Sequence, residues 1–167
     1  IVNEELGDLP AAEIVYRDLL EKWPNQAAAM TRLMGIYFQE RRWTQMSELL
    51  TQAKSRFPRD PYFPMMEAKM ELGRGQINPA MTALESCLRL DPNYLEGVRM
   101  YFSALLDSGQ YQKTEATADR YMEKPEFKAW VSSVKALALM KQGFVEQAQS
   151  LFREAFKTAP SEEVGYV

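Results

Sequence analysis

Residues 136–160 read ALALMKQGFVEQAQSLFREAFKTAP, and this stretch contains the pattern that decides the fold. Its apolar residues recur three or four positions apart on both sides of Gly143, which is the spacing of helices with one buried face. Glycine is typical of the left-handed residue that ends a helix. Pro160 stops the second run, because the proline ring has no backbone N–H and disfavours helical ψ at the preceding residue. The stretch therefore predicts two amphipathic helices joined by a tight turn.

The same layout recurs along the chain at a fixed period of 34 residues. Pro24, Pro58 and Pro92 are each 34 residues apart, and Pro160 lies at twice that distance from Pro92. The skipped position has Pro125 beside it. A period of this size indicates a stack of similar supersecondary units rather than one globular core.

Each period is predicted to hold a first helix, a tight turn, a second helix and a short loop that bears the proline. The first helices are predicted at Ala27–Glu40, Pro61–Arg74, Leu95–Ser108 and Ala129–Gln142. The second helices are predicted at Ala12–Pro24, Met46–Pro58, Ala80–Pro92, Thr114–Glu126 and Ala148–Pro160. Short connections between such helices indicate an all-α chain of helix hairpins.

The turns between paired helices follow one rule with one exception. Four of the five carry glycine, at Gly7, Gly75, Gly109 and Gly143. Glycine has no Cβ and adopts the left-handed conformation without steric cost. The fifth turn is Arg41-Arg42, where we expect either a small energetic penalty or a different turn. Asn78 and Pro79 are predicted to supply an N-cap and a first-turn proline for the helix that follows them.

The period also sets the expected domain organisation, which is one array of repeats over residues 1–167. The trailing part of a truncated repeat covers 1–26, whole repeats cover 27–60, 61–94, 95–128 and 129–162, and the start of a further repeat covers 163–167. Both ends fall inside a repeat. We therefore expect the sequence to be a piece of a longer protein.

The residues at fixed places in each unit resemble those of the tetratricopeptide repeat family, whose 34-residue units carry small and large apolar residues in a set order. The matches are Ala136, Leu139, Gly143, Ala148, Phe152, Ala155 and Pro160 in the last unit, and Gly7, Ala12, Tyr16 and Pro24 at the start. Further matches are Ala27, Leu33, Tyr37, Ala53, Pro58, Ala68, Gly75, Ala80, Leu84, Pro92, Gly109 and Tyr111. The resemblance implies an all-α, right-handed superhelical solenoid of antiparallel helix hairpins, whose first helices line a concave groove.

The resemblance also implies which residues face that groove. The implied positions are Thr31, Arg32, Gly35, Phe38, Tyr62, Met65, Met66, Lys69, Glu96, Arg99, Met100, Ser103, Trp130, Ser133, Val134 and Leu137. As candidate partner-binding residues we select Arg32, Phe38, Tyr62, Met65, Met66, Lys69, Arg99, Met100, Trp130 and Leu137. The lysine and asparagine clamp by which some members of the family grip a terminal carboxylate of chaperone tails is not present at these places.

The candidate groove is rich in methionine, aromatic and basic residues. Methionine adapts to a peptide surface, and aromatic side chains anchor interfaces. Basic residues at the same place suit an acidic amphipathic segment or a chain end. For Met66 and Met100 the alternative is that they fill gaps between helices. Trp130 on an open helical face favours a partner, whereas Trp23 and Phe57 are interpreted as packing residues and Trp43 as core.

The helix predicted at 61–74 departs from the family pattern, because Pro64, Glu67 and Glu71 stand where apolar residues are usual. One interpretation is a rotation of this helix that buries Phe63, Met66, Ala68 and Met70 instead. The other is a polar opening in the groove wall that is lined by Glu67 and Glu71.

Composition argues against several function classes. The net charge is −3 and the chain contains no histidine, so nucleic-acid binding and the commonest catalytic base and metal ligand are not expected. Cys87, the single cysteine, takes a small-residue position and is predicted to be a buried, unreactive thiol. We expect no cofactor, no metal site and no direct membrane insertion by this piece of chain.

The sequence thus favours a non-enzymatic protein–protein interaction module that binds a peptide or helical segment of a partner in its concave groove. It would act as an adaptor or scaffold within a larger protein or complex, and the ligand is expected to be acidic and amphipathic. One alternative is a self-assembling homo-oligomer that associates through solenoid ends or the groove. Another is a spacer domain of a bacterial envelope or export component. No compartment is assigned, since cytoplasmic and periplasmic settings fit equally.

Overall fold

The computed structural model describes residues 8–158 of the 167-residue chain. This part of the chain forms nine α-helices and no strand. The helices are α1 (Leu9–Lys22), α2 (Ala27–Gln39), α3 (Trp43–Arg56), α4 (Tyr62–Gly73), α5 (Ile77–Leu90), α6 (Leu95–Asp107), α7 (Tyr111–Met122), α8 (Pro125–Lys141) and α9 (Val145–Thr158). The all-α helical-repeat class is confirmed. None of the helices within this range is long and apolar enough to cross a membrane.

Proline follows the end of the second helix of a pair at three places, where the described residues include both the helix end and the proline. The helices α1, α3 and α5 stop at Lys22, Arg56 and Leu90, two residues before Pro24, Pro58 and Pro92. The last residue before each proline lies outside the helix, as expected from the steric conflict between the ring and a helical neighbour. The turn predicted at Gly7, the stop predicted at Pro160 and the repeat predicted at 163–167 lie outside the described residues.

The four described turns between paired helices close in the same way. In each, a residue with positive φ follows the helix: 54° at Arg41, 73° at Gly75, 71° at Gly109 and 88° at Gly143. The next N–H donates to the carbonyl five residues back, as from Arg42 to Tyr37 at 2.8 Å and from Gln76 to Glu71 at 2.8 Å. This is the Schellman arrangement. Arg41 therefore adopts the glycine-type turn, so the alternative of a different turn is wrong, and the small energetic penalty stays a prediction.

Two local predictions are corrected. Pro125 does not end the preceding helix but occupies the first position of α8, so that α8 starts four residues earlier than expected. A proline fits there because the first N–H of a helix has no partner within the helix. Asn78 is not an N-cap, since Gln76 caps α5 and Asn78 lies inside its first turn.

The chain divides into two compact units, unit 1 at residues 1–98 and unit 2 at residues 99–167, and the division falls within α6. Within unit 1, consecutive helices from α1 to α5 pack against one another, and within unit 2 α8 packs against both α7 and α9. The largest fully buried side chains are Met30, Met34, Met46, Leu50, Phe63, Met65, Leu84 and Val98 in unit 1, and Phe102, Leu105, Thr114 and Val131 in unit 2. The organisation of residues 1–167 as one repeat array stays a prediction.

The approach of α6 to α5 in unit 1 depends on a glycine. A Cβ placed on Gly97 would lie 2.8 Å from the Cys87 sulfur, closer than real Cβ atoms approach. Cys87 is fully buried at this contact, and burial raises the pKa of its thiol to about 11. A thiol with so high a pKa is almost entirely protonated and therefore a poor nucleophile at neutral pH. The prediction of a buried cysteine is confirmed, and that of an unreactive thiol stays a prediction.

Candidate functional site

Helix α4 resolves the departure noted at residues 61–74. Phe63, Met66, Ala68 and Met70 are buried, as the rotated-helix interpretation predicts, and Pro64 is buried as well. Glu67 accepts from Lys54 Nζ with both carboxylate oxygens, at 2.6 and 2.7 Å. Glu71 pairs with Arg74 at 3.1 Å. Each carboxylate thus has a cation of its own, and within residues 8–158 no cluster of three or more potential ligands is placed to hold a metal ion.

The packing of α4 changes the candidate groove of unit 1. Met65 and Met66 are 1% and 5% exposed, so neither side chain offers surface to a partner. This corrects their place among the surface candidates, and the physical reason is that both methionines pack into the core of unit 1, while Glu67 of the same helix pairs with Lys54. Phe38, Tyr62 and Lys69 are half-buried, and Arg32 is exposed. Lys69 lies 5.5 Å from the Phe38 ring centroid and 3.7 Å from Glu96.

A cleft of about 640 Å³ opens in unit 1, where α1, α2 and α4 meet. We call it the unit 1 cleft. It is lined by Leu9, Thr31, Arg32, Gly35, Ile36, Gln39 and Tyr62. Four of these seven, Thr31, Arg32, Gly35 and Tyr62, belong to the groove positions implied by the sequence. Burial is the largest of the causes that raise the pKa of the Tyr62 hydroxyl, and the nearby Glu96 carboxylate adds to it.

A second cleft, of about 530 Å³, lies in unit 2 between α6 and α8, and we call it the unit 2 cleft. It is lined by Arg99, Phe102, Ser103, Leu106, Asp107, Tyr111, Trp130, Val134, Leu137 and Lys141. Three of the ten candidate residues, Arg99, Trp130 and Leu137, line it together. Met100 is half-buried and is not among the lining residues. Whether the candidates bind a partner stays a prediction.

Trp130 is held in place by an aromatic cluster. Its ring meets that of Phe102 edge-on, with centroids 5.5 Å apart and planes at 82°. The ring centroids of Phe102 and Tyr121 are 5.8 Å apart, and those of Tyr121 and Phe127 are 5.3 Å apart. Edge-to-face pairs of this kind favour defined ring positions. The half-buried indole is therefore already oriented towards the cleft before any ligand arrives.

The charges of the unit 2 cleft are two cations and one anion. The Arg99 guanidinium lies 5.9 Å from the Trp130 ring centroid, in the range of a cation–π contact. Lys141 is the last residue of α8, and Asp107 is the last residue of α6. Asp107 accepts a hydrogen bond from the Ser103 hydroxyl at 3.4 Å. The lining therefore carries a net positive charge in a chain whose net charge is −3.

Sequence reasoning missed Asp107 and Lys141, although a signal for them was available. Both lie four residues after predicted groove positions, Ser103 and Leu137. Residues four apart share one face of a helix, so the groove pattern extended by one turn would have included them. The same extension from Gly35 gives Gln39, which lines the unit 1 cleft.

Three further aromatic predictions have different outcomes. Phe57 stacks on Phe63 with centroids 5.6 Å apart, which confirms it as a packing residue. Trp23 is 56% exposed, so its interpretation as a packing residue is wrong. The reason is that α1 ends at Lys22, which places Trp23 in the loop. Trp43 is only half-buried and meets Phe38 edge-on at 5.7 Å.

Outside the clefts, unit 1 has a strong polar link between α1 and the turn that joins α2 to α3. Arg42 donates to both carboxylate oxygens of Glu13, at 2.5 and 2.9 Å, and lies 4.6 Å from the Tyr37 ring centroid. The Arg42 hydrogen bond is the largest cause that holds the pKa of Glu13 below its usual range. Bidentate pairs are the strongest side-chain ion pairs, so this cluster fixes α1 on its neighbours.

Comparison with protein-family models gives one match. The model described as Iml2/Tetratricopeptide repeat protein 39 matches residues 26–155, which is most of the chain. No curated protein sequence matches this chain significantly.

Solved structures give further matches at low sequence identity. A crystal structure of MamA has a TM-score of 0.76 at 17% identity, with 93% of this chain and 91% of that chain covered. YrrB, described as a TPR protein with an unusual peptide-binding site, has a TM-score of 0.71 at 15% identity, with 98% and 84% covered. TTC0263, described as a thermophilic TPR protein in Thermus thermophilus, has a TM-score of 0.58 at 20% identity, with 95% and 87% covered. At these identities the likeness shows a shared fold.

Proposed function

The chain belongs to the Iml2/tetratricopeptide repeat protein 39 family, and from that premise we propose that it is a protein–protein interaction module whose unit 2 cleft binds an acidic, amphipathic helix of a partner. The observation that carries the proposal is Trp130, an indole oriented by Phe102 and placed beside Arg99 at the wall of the cleft. Aromatic and arginine side chains in such a setting are the residues that most often dominate binding energy at interfaces.

The cleft has the dimensions of a helix-binding groove. Arg99 and Asp107 are eight residues apart on α6, which corresponds to about 12 Å along the helix axis. Two turns of a ligand helix span the same distance. An apolar face on that helix would meet Trp130, Leu137 and Leu106, which all line the cleft. Helix-in-groove binding of this kind uses anchors at three- and four-residue spacing.

The charges favour an acidic ligand. Arg99 and Lys141 are the two basic lining residues, and Asp107 is the one acidic lining residue. A carboxylate on the ligand helix would meet the exposed Arg99 guanidinium next to the indole and accept a charge-assisted hydrogen bond from it. A basic ligand would meet two like charges instead.

A non-enzymatic role is supported by the reactive groups of the chain. The sequence has no histidine to act as a general base. Its single thiol, that of Cys87, is fully buried with a raised pKa. Among residues 8–158, Glu67 and Glu71 are each paired with a nearby cation.

The test uses a labelled, blocked 15-residue helical peptide with leucine and glutamate on one face, and a second peptide with glutamine in place of glutamate. Fluorescence anisotropy should show binding of the acidic peptide and about tenfold weaker binding of the neutral one. Arg99→Ala combined with Trp130→Ala should weaken binding by about thirtyfold or more, the loss typical of a binding hot spot. Trp23→Ala is the matched control, since Trp23 is an exposed tryptophan of unit 1.

Two outcomes would overturn the proposal: equal binding by the double variant and the parent, or no binding of the acidic peptide at all. Because Trp130 packs on Phe102, circular dichroism of the double variant must show an intact fold. If it does not, the exposed Arg99→Gln and Lys141→Gln variants supply the same comparison.

The alternative of a self-assembling scaffold has one observation in its favour. Met140, Phe144 and Val145, at the turn between α8 and α9, are 45%, 50% and 47% exposed. Light scattering over a concentration series separates the two ideas. A monomer that binds the acidic peptide supports the proposal, whereas dimers that Phe144→Ser dissociates support self-assembly.

A further inference from the structure

The turn between α2 and α3 keeps an arginine where the other described turns between paired helices have glycine. Arg41 has a φ of 54°, in the left-handed region that residues with a side chain rarely adopt. Its side chain is exposed, and no residue among 8–158 forms a hydrogen bond or an ion pair with it. An uncommon conformation without a stabilising side-chain contact indicates that the residue has a function of its own.

Arg41 lies three residues before Thr44, an exposed threonine in the first turn of α3. The Thr44 hydroxyl makes no hydrogen bond to any described residue. Nowhere else in the 167-residue sequence does an arginine or a lysine lie three residues before a serine or a threonine. Protein kinases select substrates by such charge patterns, and the basophilic class binds an arginine at this distance in an acidic pocket. The spacing therefore gives Thr44 the pattern of a kinase substrate.

A kinase binds its substrate as an extended segment, so the start of α3 has to open. This helix begins without a side-chain cap and without an acidic residue in its first turn, which leaves its first N–H groups weakly held. Two contacts oppose the opening. Arg42 donates to both carboxylate oxygens of Glu13, and Trp43 meets the Phe38 ring edge-on at 5.7 Å. Release of Arg42 from Glu13 is therefore a step in exposing Thr44.

A cavity of about 340 Å³ beside Thr44 has room for a phosphate. Its lining is Trp43, Thr44, Ser47, Glu48, Thr51 and Arg74, none of which lines either cleft. Arg74 is the one basic lining residue, and it pairs with Glu71 at 3.1 Å. Guanidinium groups bind phosphate through two parallel hydrogen bonds, so a phosphate on Thr44 would compete with Glu71 for Arg74. Glu48 is the one acidic lining residue and would repel the phosphate from its own side of the cavity.

We propose that Thr44 is a phosphorylation site for a basophilic serine/threonine kinase that binds Arg41, and that the phosphate then pairs with Arg74 at the end of α4. In this reaction the Thr44 oxygen attacks the γ-phosphorus of ATP. The bond from that phosphorus to the β–γ bridging oxygen breaks and ADP leaves, while the hydroxyl proton passes to a carboxylate of the kinase. The product carries an additional charge of about −2. The site goes beyond the proposed function in its position and in its chemistry.

The test incubates the folded chain with ATP and the catalytic domain of a basophilic kinase, and mass spectrometry then locates the phosphate. One phosphate is expected, on Thr44. Arg41→Gly should lower the rate about tenfold or more, although glycine suits this turn, because the kinase loses its charged contact. Arg59→Gly, at another exposed arginine of unit 1, is the matched control and should leave the rate unchanged. Equal rates for Arg41→Gly and the parent would overturn the assigned recognition.

Glu13→Gln tests the opening step. It should raise the rate of phosphorylation about fivefold, because Arg42 loses its bidentate partner on α1. A synthetic peptide of residues 36–50 lacks this partner and gives the rate at full access. Modification of the peptide alone, with no phosphate on Thr44 in either the folded parent or Glu13→Gln, would overturn the site.

Thermal unfolding tests the contact with Arg74. The phosphorylated chain should unfold about 2 °C above the unmodified chain, and Arg74→Gln should abolish this gain. A midpoint that phosphorylation leaves unchanged or lowers in the parent would show that the phosphate does not pair with Arg74.

Discussion

The unit 1 and unit 2 clefts occupy the same places in the repeat and differ in nearly every side chain. Thr31, Gly35, Gln39 and Tyr62 line the first cleft, and Arg99, Ser103, Asp107 and Trp130 line the second. Each residue of the first set lies 68 residues, or two periods, before its counterpart in the second. The repeat thus determines where a cleft forms. The residues at these four positions determine the size and charge of its lining.

The two clefts differ in the size and charge of their lining side chains. Gly35 and Thr31 leave the floor of the unit 1 cleft low, which suits a backbone at close range. Trp130 and Arg99 instead present a fixed indole and a guanidinium, which suit an apolar anchor and a carboxylate. The two clefts thus present different side chains on a single type of hairpin.

The largest effect is expected from the residue that supports the unit 2 cleft. Phe102 is fully buried and contacts both Trp130 and Tyr121. Phe102→Ala should lower the free energy of unfolding by about 3–5 kcal/mol, since it removes a large side chain and leaves a cavity. Chemical denaturation followed by circular dichroism measures this loss. Thr117→Ser, also buried in unit 2, is the mild control, and a loss below about 1 kcal/mol for Phe102→Ala would contradict the assigned core role.

A transplant between the clefts should have the next largest effect. Thr31→Arg combined with Tyr62→Trp gives the unit 1 cleft the two main residues of the unit 2 cleft. The variant should bind the acidic helical peptide at an additional site, with a gain of about tenfold in affinity there over the parent. Isothermal titration calorimetry reports the number of sites. The pair Thr51→Arg and Phe144→Trp, at exposed positions outside both clefts, is the control. An unchanged stoichiometry of the transplant variant would mean that these two positions do not set specificity.

Acid should weaken unit 1 through Glu13. Arg42 lowers the pKa of Glu13 in the folded state. The stability that the ionised Glu13 carboxylate contributes is therefore fully present above the unfolded pKa of about 4.5, and it is lost as the pH falls through the folded pKa. Glu13→Gln should cost about 1 kcal/mol at pH 7 and should flatten the decline in stability below pH 4.5. Thermal unfolding at several pH values measures both. Glu146→Gln, an exposed acid of unit 2, is the control, and a parallel pH profile for Glu13→Gln would refute the assignment.

The smallest effect concerns the turns. Arg41 has a φ of 54° where Gly109 of unit 2 has 71°. Arg41→Gly should stabilise the chain by about 1 kcal/mol, and Gly109→Ala should destabilise it by a similar amount, because only glycine adopts this conformation without strain. Thermal unfolding of both variants measures the pair. Gly35→Ala, in a normal helical conformation, serves as the contrasting control, and a destabilised Arg41→Gly would show that the arginine side chain contributes more than the strain costs.

Much of the fold could be predicted because its signals are local. The proline that follows a second helix and the glycine that follows a first helix each end a helix that stops only a few residues away. The prediction for Pro125 is wrong because proline both stops one helix and starts the next, and the sequence alone does not separate these roles.

The candidate site was predicted less completely because its details depend on contacts between hairpins. Glu67 on α4 pairs with Lys54, a residue of the preceding repeat. No periodicity within residues 61–74 contains that information. Trp130 and Arg99 were identified from their repeat positions, but their contact across α6 and α8 required the structure.

The close contact of Gly97 with Cys87 also provides a kinetic reporter of local opening. The sulfur is fully buried, and a reagent reaches it only when the end of unit 1 opens. The rate at which a maleimide modifies this single thiol therefore measures the frequency of that opening, in a chain with no second cysteine to confuse the signal. One native residue therefore reports on the local stability of this end of unit 1.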